Sequence, residues 1–487
     1  MSQSVRFVFR GKIETLDEDS CGLQPSTTLL NYLRSKKGRQ GTKEGCAEGD
    51  CGACTVVLAE VGDNGKLSYK AVDSCLVFLP MIHGKQLITV EDLSYSENGV
   101  TKLHPVQQCM IESSATQCGY CTPGFVMSLF AFYKTHNNPS RDEIVDVITG
   151  NLCRCTGYQP IIEAALNACV HHGVDHFTSA EAKIVAMLNE IASDPSTIVL
   201  ETKRQLYMKP LRLQEALSLR KQFPKAIVVN GATDVALRQN KRNEIIEEII
   251  DISDLKELKG FKFDDHQYII GAGSTIEHLR GFSVNEIPAL ATMLSRFGSL
   301  QIRNLASIGG NICSASPIGD SLPVLFVLQA RVVLQSIDMQ RELAIADFIS
   351  GYRKTELKPD ELLTQIIIPK SNDSSIVKSY KVSKRKSLDI STVSAAFFLK
   401  LNENTVEEVR IAFGGMAAHT RFASATMGFL LNKQWCRATV DKAMLILGAE
   451  FSPIDDARSG AEYRRSVAAN LLLKFFLESV QPSNNLS

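Results

Sequence analysis

Three cysteines fall within a short run, Cys46-Ala-Glu-Gly-Asp-Cys51-Gly-Ala-Cys54, which reads C-x4-C-x2-C, and Cys75 follows downstream. Thiolates drawn mostly from one loop force the backbone to wrap around a metal–sulfur core, and this is the spacing of plant-type 2Fe–2S loops. Gly45, Gly49 and Gly52 interleave the cysteines. They supply the dihedrals and close approach such a wrap needs, and leave amide N–H groups to point at sulfur. A structural zinc site usually uses paired C-x2-C knuckles instead. The spacing therefore predicts one 2Fe–2S cluster held by Cys46, Cys51, Cys54 and Cys75. Cys21 lies near the loop in sequence only and is expected in the core.

The chain has 487 residues, too many for one hydrophobic core and enough for about three domains. Lys plus Arg and Asp plus Glu are each 53, so the formal charge is zero. That removes any electrostatic reason to expect nucleic acid or an anionic membrane as partner. The first residues, MSQSVRFVFRGK, contain no apolar signal core, and no stretch approaches the roughly 20 apolar residues of a membrane span. The expected location is the cytoplasm. Thirteen cysteines then point to metal, since disulfides are rare in that compartment.

Residues 1–92 read as a small β-rich unit with strands at Arg6–Arg10, Val56–Leu58 and Leu87–Val90, and a helix over Thr28–Leu33. Residues 93–170 carry the spacing of four short helices, Pro105–Ser114, Gly124–Tyr133, Arg141–Thr149 and Gln159–Cys169. Residues 171–200 are expected to be a linker with one helical run near Ala180–Ala192. From 201 to 373 strands and helices alternate, and an α+β unit fills 374–487. The polar tail Gln481–Ser487 is expected to be disordered.

The second cysteine group is Cys118-Gly-Tyr-Cys121 and Cys153-Arg-Cys155. Both pairs sit at turns leading into helices, where free N–H groups stabilise thiolates. On spacing alone a four-cysteine zinc site fits as well. The motifs G-C-x-E-G-x-C-G-x-C, Q-C-G-x-C-T-P-G and G-N-L-C-R-C-T-G-Y, in this order from Gly45 to Tyr158, resemble the iron–sulfur part of the xanthine oxidase (molybdenum hydroxylase) family. The resemblance implies that Cys118, Cys121, Cys153 and Cys155 bind a second 2Fe–2S cluster.

Further on, Val229-Asn230-Gly231-Ala232-Thr233-Asp234 is a strand, a glycine turn and a helix start, which offers N–H groups to a pyrophosphate. Ile302–Asn311 and Ser314–Asp320 add paired glycines and small polar residues. Together these resemble the FAD domain of the same family. The fold implied is multidomain α+β: a β-grasp plant-type ferredoxin domain, a four-helix 2Fe–2S domain, a vanillyl-alcohol-oxidase-type FAD domain, and an α+β flavoprotein C-terminal domain. By resemblance Val229 to Asp234 would hold the pyrophosphate and Phe297 would pack near the isoalloxazine. Ser307, Gly310, Asn311, Asp320, Leu363 and Lys381 would make further FAD contacts. Gly351-Tyr352-Arg353-Lys354-Thr355 is similar to a segment of the family's xanthine dehydrogenases, which would put Tyr352 where a nicotinamide docks; the other reading is an exposed loop. Lys384–Asp389 resembles a loop flanking the flavin. Gly271-Ala272-Gly273 follows a strand but lacks the third glycine and the later acidic residue of a dinucleotide fingerprint, so it reads as a turn. Cys109, Cys169, Cys313 and Cys436 are expected to be buried hydrophobes, and His104 to start a helix.

The resemblance implies an electron-transfer subunit with no catalytic side chain of its own. A separate large subunit would bind molybdopterin and hydroxylate hypoxanthine or xanthine, forming a heterotetramer, with NAD+ as acceptor. The alternatives are a subunit for an N-heterocycle or aldehyde substrate, and a stand-alone iron–sulfur flavoprotein carrier.

Overall fold

The computed structural model describes residues 3–17, 23–170, 173–370 and 374–480. The expectations for Cys21 and for the tail 481–487 lie outside the described residues. Contacts divide the chain into two units: residues 1–256 with 298–306, and residues 257–297 with 307–487.

In the first unit, β1 (Ser4–Phe9), β2 (Lys12–Asp17), β3 (Thr55–Val61), β4 (Leu67–Asp73) and β5 (Gln86–Ile88) form one sheet in the order β2-β1-β5-β3-β4. Only β1 and β5 run parallel; the other pairs are antiparallel. That is the β-grasp arrangement, with α1 (Leu29–Ser35) started by Thr28, whose hydroxyl accepts from the Asn31 N–H. A short hairpin of β6 (Tyr95–Glu97) and β7 (Val100–Lys102) follows, exposed on every residue. Its period-2 pattern buries nothing, so hydrophobic alternation could not reveal it.

The four helices α2 (Pro105–Glu112), α3 (Thr122–Tyr133), α4 (Arg141–Ile148) and α5 (Gln159–Val170) come next. Helix α3 is buried from Gly124 to Tyr133 and forms the centre of the bundle. His104 starts α2 as its cap, its Nδ1 accepting from the Val106 N–H at 3.2 Å.

The stretch 171–200 is more than a linker. It contains α6 (His176–Ala192), capped by Asp175, and most of β8 (Ile198–Glu201). Ile184, Leu188 and Ile191 repeat at helical spacing and pack on Val8, so this helix belongs to the core.

Strand β8 pairs antiparallel with β9 (Leu206–Lys209), followed by α7 (Leu213–Gln222), β10 (Ile227–Val229), α8 (Ala236–Arg242) and β11 (Glu248–Asp251). The order β10-β11-β9-β8 makes β9, β10 and β11 a parallel set joined by crossover helices. The range 201–373, read from sequence as the FAD domain, has strands in more than one sheet, and this small α/β layer groups by contacts with the first unit.

In the second unit, strands Phe261–Phe263, Gln267–Gly271, Leu362–Pro369, Arg331–Gln335 and Gln340–Ala344 form an antiparallel sheet in that order. Strands Ser375–Val382, Val393–Asn402, Thr405–Gly414 and Arg421–Phe422 form another. Helices Arg437–Glu450 and Ala461–Val480 share a core with the latter, where Phe397 stacks on Phe475 at 4.9 Å. Gly271 ends its strand against the Leu258 carbonyl, where a Cβ would stand at 2.4 Å, and Thr275 then caps the helix Ile276–Glu286. Protein backbone fills the turn. No helix among the described residues is long and apolar enough to cross a membrane.

Truncating the buried α6 anchor, Leu188→Ala, is expected to destabilise the first unit by about 2–5 kcal/mol. Chemical unfolding followed by circular dichroism should show a transition at lower denaturant than in the parent chain.

Candidate metal and flavin sites

The thiols meet two by two. Cys54 Sγ lies 3.3 Å from Cys75 Sγ, and Cys46 and Cys51 are hydrogen-bonded to each other. In the second group Cys121 pairs with Cys153, and Cys118 with Cys155. Among the described residues no three His, Cys, Asp or Glu side chains converge on a single ion. A four-cysteine zinc site needs four sulfurs around one centre, whereas a 2Fe–2S cluster takes two protein ligands at each of two irons. The donor set fits the cluster.

Backbone amides aim at these sulfurs. The N–H groups of Glu48 and Asp50 donate to Cys46 Sγ at 3.4 and 3.2 Å. Together with the Cys51 thiol, its largest influence, they draw the Cys46 thiol down to about 5. At Cys153 burial opposes ionisation, but the hydroxyl and the amide of Thr156 donate to its sulfur and the balance falls below the ordinary thiol range. Burial, then the neighbouring Cys153, pushes the Cys121 thiol up to about 12. One thiolate stabilised beside one reluctant thiol is what paired sulfurs sharing a proton produce.

The two cysteine loops touch. The Leu152 N–H donates to the Cys51 carbonyl at 3.0 Å, and Asn151 Nδ2 donates to the Gly52 carbonyl at 3.0 Å. Asn151 Oδ1 accepts from Ser128 Oγ at 2.7 Å and from Gln301 Nε2 at 3.0 Å. Gly52 has φ +64°, and a Cβ on it would stand 2.3 Å from the Gly150 carbonyl. The first site is the more buried: Cys54 and Cys75 are enclosed, whereas Cys118 and Cys155 are exposed beside exposed Tyr120 and Leu152. Sequence spacing identified the cysteines but not Gln301, which lies far outside both motifs.

The residues expected at the flavin fall on both units. In the first, Val229 ends β10 and its carbonyl accepts from the Ile252 N–H. Gly231 lies so near the Leu305 carbonyl that a Cβ would be 1.9 Å from it, and Ala232 takes φ +55°. Thr233 and Asp234 complete the turn before α8, and Asn230 is half-buried at its start.

In the second unit Ser307 caps the helix Ile308–Cys313, its Oγ accepting from the Gly310 N–H. Asn311 Oδ1 accepts from Ser321 Oγ at 2.6 Å. Lys381 Nζ reaches the Asp320 carboxylate at 2.6 Å and the Arg296 carbonyl at 2.9 Å, next to half-buried Phe297. Ser391 also donates to Asp320. Leu363 is buried on its strand beside Leu334. Tyr352 stands 62% exposed on a tight hairpin with φ +48° at Arg353. Asp389 folds the 384–389 loop, accepting from the N–H groups of Arg385 and Ile390.

Among the remaining cysteines, Cys109 and Cys169 are buried as expected and Cys313 is half-buried. Cys436 is exposed, a correction. It stands where the helix Arg437–Glu450 begins, with Sγ 3.4 Å from Thr439 Oγ1, at the surface and away from the core.

The sequence matches three family profiles: a [2Fe-2S] binding domain over 89–166, an FAD binding domain in molybdopterin dehydrogenase over 200–371, and a CO dehydrogenase flavoprotein C-terminal domain over 378–479. It is 32% identical to xanthine dehydrogenase of Emericella nidulans over 97% of this chain and 38% of the relative. The figures for xanthine dehydrogenase of Calliphora vicina are 31%, 94% and 38%. Aldehyde oxidase 2 of Cavia porcellus is 31% identical over 98% of this chain and 40% of the relative. The chain thus spans about two-fifths of the length of these relatives. Among solved structures, a chain of the cyanide-inactivated Cu,Mo-CO dehydrogenase superposes with TM-score 0.52 and 26% identity, over 55% of this chain and 94% of that one. Quinoline 2-oxidoreductase from Pseudomonas putida 86 shares the fold, with TM-score 0.53 and 22% identity over 56% and 95%.

Gly52→Ala is expected to force the cysteine loops apart, and iron analysis should show metal lost relative to the parent chain. Lys381→Met leaves Asp320 buried without its cation, a cost of about 3–5 kcal/mol. Thermal unfolding should reveal it, with Lys381→Arg much milder.

Proposed function

This chain belongs to the xanthine oxidase (molybdenum hydroxylase) family, and on that premise we propose that it is the electron-transfer part of a xanthine dehydrogenase. A molybdopterin-binding large subunit would oxidise hypoxanthine or xanthine, in a heterotetramer located in the cytoplasm, and NAD+ would be the final acceptor. The observation that carries this reading is the pairwise meeting of eight thiols in two groups, with the 46–54 loop of one bonded to the 151–155 loop of the other.

In this reading Cys46 with Cys51 and Cys54 with Cys75 hold one 2Fe–2S cluster, and Cys118 with Cys155 and Cys121 with Cys153 hold the other. Val229 to Asp234, and separately Ser307, Gly310, Asn311, Asp320, Leu363 and Lys381 with Phe297, contact FAD. When bound, the clusters handle single electrons, and the flavin handles two and can pass them on as hydride. The chain's own residues position and insulate. Exposed Cys118 and Cys155, with Tyr120 and Leu152 beside them, suit the side from which electrons arrive from the partner. The more buried first site suits the onward position. Tyr352, exposed and backed by Arg353 and Lys354, suits an approaching anionic dinucleotide.

A second reading has the partner oxidise an aldehyde, since an aldehyde oxidase matches at 31% identity as well. The complex purified with its partner separates the two. On the first reading xanthine bleaches the visible spectrum and NAD+ restores it, and neither happens without the partner. Bleaching by aldehydes but not by purines overturns the first reading in favour of the second. Cys153→Ser is expected to abolish one of two distinct EPR signals; loss of both would exclude independent cluster sites, and loss of neither would exclude Cys153 as a required ligand.

A further inference from the structure

Helix α8 leaves the Val229–Asp234 turn at one end, its Ala236 N–H bonded to the Ala232 carbonyl at 2.8 Å. Its other end lies on the cradle of the first cysteine group. Asn240 Nδ2 donates both to the Ala47 carbonyl at 3.1 Å and to the Cys75 carbonyl at 2.7 Å. It thereby ties the C-x4-C-x2-C loop to the turn that supplies the fourth cysteine. Lys241 Nζ donates to the Cys46 carbonyl at 2.6 Å and pairs with Glu48 at 3.1 Å. Gln239 Nε2 donates to the Ser26 carbonyl at 2.9 Å. Three consecutive side chains of one helix thus engage the β-grasp domain. The helix closes there: Asn243 takes the left-handed conformation (φ 52°), and the N–H groups of Asn243 and Glu244 bond back to the Gln239 and Arg238 carbonyls.

The loop that Lys241 touches carries Glu44, Glu48 and Asp50. A cluster that accepts an electron there adds negative charge to an already acidic segment. A cation fixed at the carbonyl of one ligand residue favours the reduced form, and removing it disfavours that form.

We infer that Lys241 sets the reduction potential of the first cluster through its charge, and that Asn240 is a positioning residue holding the two parts of that cluster's cradle together. The inference rests on the proposed cluster at Cys46, Cys51, Cys54 and Cys75. Lys241→Gln lowers the midpoint of one cluster while the other stays put, and Lys241→Arg restores it. The expected change in the reduction equilibrium is about threefold to tenfold, tenfold being about 59 mV for a one-electron couple. Asn240→Ala leaves two carbonyls without their shared donor, so iron is lost faster on incubation with a chelator, whereas Lys241→Gln retains it.

The test is a redox titration of the full chain monitored by EPR, with iron analysis of the same samples. Two signals in the parent chain, with one midpoint moved negative in Lys241→Gln at full iron content, support the inference. An unmoved midpoint at full iron content overturns the role of Lys241 and leaves the proposed function standing. Iron loss from Lys241→Gln also overturns it, by assigning the lysine to holding the loop. Chelator resistance of Asn240→Ala equal to the parent overturns the role of Asn240. A parent chain with no cluster signal overturns the reading beneath both.

Discussion

Three glycines meet where the two cysteine loops touch, and the space there admits no side chain. A Cβ on Gly52 would stand 2.3 Å from the Gly150 carbonyl, one on Gly124 2.2 Å from the Gly52 carbonyl, and one on Gly150 2.0 Å from the Gln301 amide oxygen. This closeness lets the Leu152 N–H reach the Cys51 carbonyl. The route from a ligand of one proposed cluster to a ligand of the other then runs through one hydrogen bond and one peptide unit. A methyl group at any of the three positions would have to push backbone or a buried amide aside, so the spacing of the cysteine loops is set by what is missing from these residues.

Polar contacts fasten the same unit elsewhere. Lys209 Nζ, fully buried, bonds to Asp251 at 2.7 Å, Asp254 at 2.9 Å and Ser253 at 2.8 Å, and Lys85 from the β-grasp domain joins Asp254 at 3.0 Å. The Tyr207 hydroxyl donates to Asp251 at 2.8 Å. A buried ion pair gains little net stability over packed apolar groups, yet breaking it is costly because a charge is left unpaired. Here it joins the ends of parallel strands β9 and β11 to the turn before β5. Hydrophobic contact would permit sliding; directional bonds specify one register.

What the sequence made legible was local. The cysteine spacing, the helix-entry residue His104, and the strand–glycine–helix turn at Val229–Asp234 all carry their signal within a few residues. Residues that join one domain to another carry none. Asn240 meets Cys75 across 165 positions and Gln301 meets Asn151 across 150, and on their own helices each looks like an ordinary polar residue. The run Ala180–Ala192 was legible as helical, but that Ile184, Leu188 and Ile191 pack on Val8 of the β-grasp sheet is a long-range contact that spacing does not carry. The segment 298–306 returns to the first unit while its flanks stay with the second, a path that periodicity cannot show.

That returning segment explains why the α/β layer sides with the iron–sulfur domains. Ile302 fills the space beside Gly49, and the Leu305 carbonyl lies against Gly231, so one short stretch touches both the cluster loop and the turn proposed for the pyrophosphate. Helix α8 spans the same two places, about 10 Å for its seven residues at 1.5 Å each. Two independent struts fix one separation. Electron transfer asks the protein for position rather than for acid, base or nucleophile. A chain with that task is expected to place its polar bonds between domains rather than in a catalytic pocket, and the placement of Asn151, Gln301, Asn240 and Lys241 follows that rule.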